Sequence, residues 1–78
     1  MKRRGKTAQQ QARYYEVEDI FEYMVKTYVY GNFSIAVRLY NELCRKDRNN
    51  FILYCFDLDD RRLGRELVRY VINNEYNL

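Results

Sequence analysis

Tyr30-Gly31-Asn32-Phe33-Ser34-Ile35-Ala36-Val37-Arg38-Leu39-Tyr40-Asn41-Glu42-Leu43 reads as the end of one helix, a tight turn and the start of a second. Glycine enters the left-handed conformation that closes a helix without a Cβ penalty, and Asn32 tolerates the same geometry. Ser34 is the expected N-cap of the second helix, with Asn32 the alternative. Before the turn, Val17, Ile20, Phe21, Met24, Val25 and Tyr28 recur at helical spacing and predict a helix from about Tyr15 to Tyr30. Glu16, Glu18 and Asp19 complement the positive end of its dipole, and Glu22 and Lys26 form an i,i+4 pair. After the turn, Ile35, Ala36, Leu39, Tyr40 and Leu43 give the second helix its apolar face, which ends near Arg45.

Arg45-Lys46-Asp47-Arg48-Asn49-Asn50 reads as a polar connector, and Phe51-Ile52-Leu53-Tyr54-Cys55-Phe56 follows as an unbroken apolar run. Its length would suit a buried strand. A lone strand would leave backbone groups unpaired, so a short third helix capped by Asp47 or Asn49 is the preferred reading. Its inner face would be Phe51, Tyr54, Cys55 and Leu58. A last helix is expected from about Asp60 to Asn74, with Leu63, Leu67, Tyr70, Val71 and Asn74 inward. Gly64 inside it costs ~1 kcal/mol relative to alanine, a cost that close approach of another helix would offset. The fold class is therefore all-α, three to four short helices packed around a central helical hairpin. Residues 14–78 form the single domain, preceded by a basic flexible arm at residues 1–13.

A 78-residue chain has a small core, burying only ~60% of the surface its unfolded form exposes. Nine tyrosines and four phenylalanines supply large rings to fill it. Charge is unevenly placed. Residues 1–13 carry Lys2, Arg3, Arg4, Lys6 and Arg13 with no acid, so the net charge of +3 belongs to the arm rather than to the domain. With Cys44 and Cys55 the only cysteines and no histidine, a tetrahedral zinc site is excluded. No apolar signal core follows the basic start, and no run approaches the ~20 residues of a membrane span, so a cytoplasmic protein with reduced thiols is expected.

Gly31, Phe33, Ala36 and Tyr40 match in order and spacing the second half of a tetratricopeptide-type helical hairpin, and Asp47 followed by Asn50 resembles that family's connector. The resemblance covers roughly residues 20–50. It implies that Gly31 closes the turn, that the rings of Phe33 and Tyr40 fill the gap between helices, and that Ala36 lets the backbones approach. Ile20, Tyr23 and Met24 depart from the family's first helix, Leu43 replaces a small residue, and no second copy is present. The resemblance therefore implies a shared way of packing one hairpin, not a solenoid. A basic arm followed by short Tyr-rich helices is also similar to small uncharacterised proteins of phages and mobile elements, which implies no particular activity.

Few residues suggest catalysis. Gly5-Lys6-Thr7 lacks the earlier glycine and preceding strand of a phosphate-binding loop. Asp57-Leu58-Asp59-Asp60 opens like a calcium loop, but Arg62 and Val68 stand where glycine and glutamate are needed. A serine or cysteine nucleophile would have no histidine base. The expectation is a protein that is not an enzyme and needs no cofactor, metal or small-molecule substrate. The surplus of Tyr14, Tyr15, Tyr30, Tyr54 and Tyr76, together with arginine, points first to a protein-interaction module, with a second copy of itself among the partners. The alternative is a small nucleic-acid-binding protein using Lys2, Arg3, Arg4, Lys6 and Arg13 of the arm with Arg61, Arg65 and Arg69 of the last helix. Asp57, Asp59, Asp60 and Glu66 lie close enough in sequence to pair with those arginines instead.

Overall fold

The computed structural model describes residues 5–74, which form five helices: α1 (Ala8–Tyr14), α2 (Ile20–Val29), α3 (Phe33–Glu42), α4 (Arg45–Phe56) and α5 (Arg61–Asn73). The all-α expectation holds, and the count exceeds three to four because of α1, which lies within the stretch read as an arm. Thr7-Ala8-Gln9-Gln10 is a capping box: the Thr7 hydroxyl accepts from the Gln10 N–H, and the Gln10 side chain accepts from the Thr7 N–H. Ahead of it, the Lys6 N–H donates to the Glu42 carbonyl at 2.8 Å, and the Cys44 N–H returns a bond to the Lys6 carbonyl at 2.8 Å. Gly5 lies so close to the Leu43–Cys44 backbone that no Cβ would fit. Asp47 of α4 accepts the Ala8 N–H at 2.7 Å and so caps α1 from another helix. Gln11 is fully buried and donates to the Leu39 carbonyl and the Glu42 carboxylate. Polar contacts thus order a stretch with little apolar surface to bury.

The α1 helix ends at Tyr14 with Tyr15 as its C-cap, and Glu16 adopts a left-handed φ of 58°. The next helix therefore begins at Ile20, five residues later than expected, where the Asp19 carboxylate accepts from the N–H groups of Phe21 and Glu22. At the hairpin turn Gly31 has φ 91°, its N–H bonds the Tyr28 carbonyl and the Asn32 N–H bonds the Thr27 carbonyl, a Schellman closure. The cap of α3 is Asn32, without a side-chain bond, and Ser34 lies inside the helix. Ala36 and Tyr40 are buried, whereas Phe33 is 44% exposed.

The expected connector at residues 45–50 is the first half of α4. Its N-cap is Cys44, not Asp47 or Asn49. The apolar run is helical, with Phe51 and Cys55 fully buried, Tyr54 half-buried, and Leu53 and Phe56 exposed. Phe51 is the aromatic hub, with ring centroids 5.4 Å from Phe21, 6.1 Å from Tyr40 and 6.4 Å from Tyr54. Around it lie Ile20, Met24, Leu39, Leu43, Leu67 and Val71. The α2–α3 hairpin and the α4–α5 pair share this core, with α3 touching both α4 and α5, while α1 covers α2.

The last helix starts at the Asp60 cap, whose carboxylate accepts the Leu63 N–H at 3.0 Å. Its buried side is Gly64, Leu67, Val68 and Val71, rotated from the expected stripe so that Leu63 and Tyr70 are only half-buried. A Cβ on Gly64 would collide with the Cys55 carbonyl oxygen and lie 3.2 Å from its carbon. Gly64→Ala should therefore lower stability by about 1–3 kcal/mol, since overpacking outweighs the ~1 kcal/mol gain in helix propensity. The urea midpoint reads this, and an unchanged or higher midpoint would mean that α4 and α5 separate freely.

Burial raises the Asp47 carboxyl, but hydrogen bonds from the Ala8 N–H, the Asn50 amide and the Cys44 thiol, together with the Lys46 charge, outweigh it and hold its pKa below the ordinary value. A carboxyl depressed by folding stabilises fully above its unfolded pKa of ~3.9 and loses that contribution as pH falls through its folded value. Asp47→Ala should cost about 0.5–2 kcal/mol at neutral pH, as for a lost cap. The gap between parent and variant should narrow below about pH 4. Urea titrations at both pH values measure it, and a gap that does not change with pH would remove Asp47 from the linkage.

Candidate functional site

Because α5 buries Gly64, Leu67, Val68 and Val71, helical geometry turns Arg61, Arg62, Arg65 and Arg69 outward, and all four are exposed. Arg61, Arg65 and Arg69 recur at i, i+4, i+8, and Arg62 joins them from the adjacent row through its i,i+7 relation to Arg69. With Tyr28, Glu66, Tyr70 and Asn73 these arginines line a groove of about 460 Å³. Tyr28 comes from α2 and Tyr70 from α5, their ring centroids 5.8 Å apart. Phe33, the first residue of α3, braces both rings at 4.9 Å and 5.6 Å. Three elements thus build one aromatic wall beside one guanidinium row. Phe33 meets Tyr28 across the α2–α3 hairpin and also reaches Tyr70 of α5, while Tyr40 is buried in the core.

The electrostatics favour an anion. Among the described residues none of these four arginines makes an ion pair within 4.0 Å, whereas Lys26 pairs with Glu22. The pairing that Asp57, Asp59, Asp60 and Glu66 could have supplied is not made. Asp60 is held at the N-cap by the Leu63 N–H. Among the described residues Glu66 is the one carboxylate lining the groove. Burial, then the Glu66 carboxylate and Tyr70, push the Tyr28 phenol above its ordinary value. Tyr28 is therefore a neutral hydroxyl at physiological pH.

The expected arm residues lie elsewhere. The Lys6 ammonium sits 3.8 Å from the centroid of the Tyr14 ring, and Arg13 is exposed on α1, which packs on α2 rather than α5. Neither lines the groove. Lys2, Arg3, Arg4 and Tyr76 fall outside the described residues. Of the other surplus tyrosines, Tyr14 and Tyr30 are exposed, while Tyr15 and Tyr54 pack against the core. Tyr15 donates its hydroxyl to Glu42 at 2.9 Å.

The two thiols are free. Burial pushes Cys55 up to about 12, so it is a poor nucleophile. Cys44 is half-buried, 3.6 Å from an Asp47 oxygen. Among the described residues no three cysteine or carboxylate side chains converge as a metal cluster would require, and no helix is long and apolar enough to cross a membrane.

Sequence reasoning counted Arg62 among the arginines of the last helix but left it off the Arg61–Arg65–Arg69 face, although its i,i+7 relation to Arg69 was readable. It assigned Tyr28 and Tyr70 to core stripes, and only the meeting of α2, α3 and α5 makes them a wall. Comparison with family models, with curated proteins and with solved structures finds no match to this chain.

Proposed function

We propose that this chain is a non-catalytic nucleic-acid-binding protein whose contact surface is the arginine face of α5. The observation that carries this reading is four guanidinium groups, none with an acid partner among the described residues, around one groove walled by two tyrosines. Guanidinium forks match phosphate oxygens and form strong charge-assisted bonds. Neutralised phosphates release counterions, which drives binding at low salt. The basic residues of the arm add attraction at a distance. An arginine-rich amphipathic helix can also lie on a membrane, but here the apolar side of α5 is already buried in the core. The absence of histidine and the inert thiol of Cys55 support a binding role over a catalytic one. The reading implies a compartment that holds nucleic acid and keeps both thiols reduced, which we take to be the cytoplasm.

The test is fluorescence anisotropy with labelled DNA and RNA over a salt series. Arg61→Ala/Arg65→Ala/Arg69→Ala should weaken binding and lower the log–log salt slope by about two to three, near 0.7–0.9 per lost phosphate contact. Glu66→Gln removes the groove's negative charge and should tighten binding by about two- to fivefold, the scale of one exposed charge interaction. Binding that ignores salt, or a triple variant that binds like the parent, overturns the proposal.

A second reading, a protein-interaction module that pairs with a partner or a second copy, is favoured by one observation. Leu53 and Phe56 are 64% and 53% exposed on the outer side of α4. Exposed apolar pairs of this kind are interface material. Leu53→Asp/Phe56→Asp should abolish any concentration-dependent assembly in sedimentation, and a parent chain that is monomeric at every concentration counts against this reading.

A further inference from the structure

We infer that the α5 groove takes a single strand, its phosphates on the arginine row and its bases against the Tyr28–Tyr70 wall; this rests on the nucleic-acid reading above. The argument starts from what each form of nucleic acid exposes. A duplex presents phosphates and base edges, and its base faces are covered by stacking. A single strand presents base faces as well, and aromatic side chains beside a cationic track are what bind it without regard to sequence. This groove has both parts. The row from Arg61 to Arg69 covers nine residues, about 12 Å of helix rise. That suits a few nucleotides and falls well short of the ~16 base pairs that a double-stranded RNA module covers.

The aromatic wall is built for contact with something outside the core. Tyr28 and Tyr70 are only half-buried and line the groove, while Phe33 packs against both and holds them in place. Tyrosines that merely finished the core would not share a groove with four guanidinium groups lacking acid partners among the described residues. The tyrosine hydroxyls are neutral at physiological pH, so the wall does not repel phosphate.

The experiment compares a short labelled oligothymidylate with a hairpin duplex of the same length, using the full chain at one salt concentration and then across a salt series. The single strand should bind at least about tenfold more tightly than the duplex, the scale of one or two stacked bases. Tyr70→Ala should weaken the single strand by between about fivefold and about a hundredfold. Its salt slope should not change, because no phosphate contact is lost. Tyr70→Phe should bind like the parent. Tyr70→Leu keeps apolar bulk against Tyr28 and Phe33 without a π face, and it decides the matter if the alanine variant unfolds. A folded Tyr70→Leu variant with parental affinity, or a duplex bound as tightly as the strand, overturns the single-strand inference while leaving salt-dependent binding intact. Loss of the whole proposal has a different signature: neither nucleic acid binds, or polyglutamate displaces both as well as they displace each other.

Discussion

The backbone of Gly64 rests against the Cys55 carbonyl, and that close approach sets which side of α5 faces inward. With Gly64 at the contact, Leu67, Val68 and Val71 follow it into the core. The opposite side, with its four arginines, has no choice but solvent. The same rotation brings Tyr70 to the rim rather than the interior, where it meets Tyr28 and Phe33. One missing methyl group therefore decides both the spacing of two helices and the composition of the groove. The arginine face is a consequence of how the core closes.

The other end of the molecule is held by different physics. Residues 5–14 contribute little apolar surface, yet they are tied to the α3–α4 junction by two backbone bonds, the Asp47 cap, and the buried amide of Gln11. The Gln11 side-chain oxygen, Oε1, finds no donor among the described residues, so this polar seam is incompletely satisfied. A buried amide oxygen without a donor costs stability. That cost is borne while the amide's Nε2 group bridges the Leu39 carbonyl and the Glu42 carboxylate. The molecule thus joins a dry aromatic core around Phe51 to a hydrogen-bonded clip, and the arginine groove lies on neither.

How much of this was legible depended on the range of the interaction. The α2–α3 hairpin was readable because Gly31 and Asn32 close it with bonds to Thr27 and Tyr28, a few residues away. The arginine row was readable because it obeys the period of a single helix. The α1 helix was not readable as an element, since the partners of Lys6, Ala8 and Gln11 lie at residues 39–47. Composition counts apolar residues and is blind to a glutamine that bonds across the fold. The helical state of Phe51–Phe56 was readable only by elimination of a lone strand.

By itself, then, the chain determined its helical class, its central turn, the glycine that permits a close helix contact and the cationic face of the last helix. Each follows from local spacing and backbone chemistry. The tertiary structure decided the rest: that the N-terminal segment is clipped to the α3–α4 junction, that no acid among the described residues pairs with the arginines of α5, and that Tyr28, Phe33 and Tyr70 converge. Those outcomes depend on the relative rotation of helices about a shared core. No periodicity within one helix encodes that rotation, because it is set by which surfaces of several helices fit together at once.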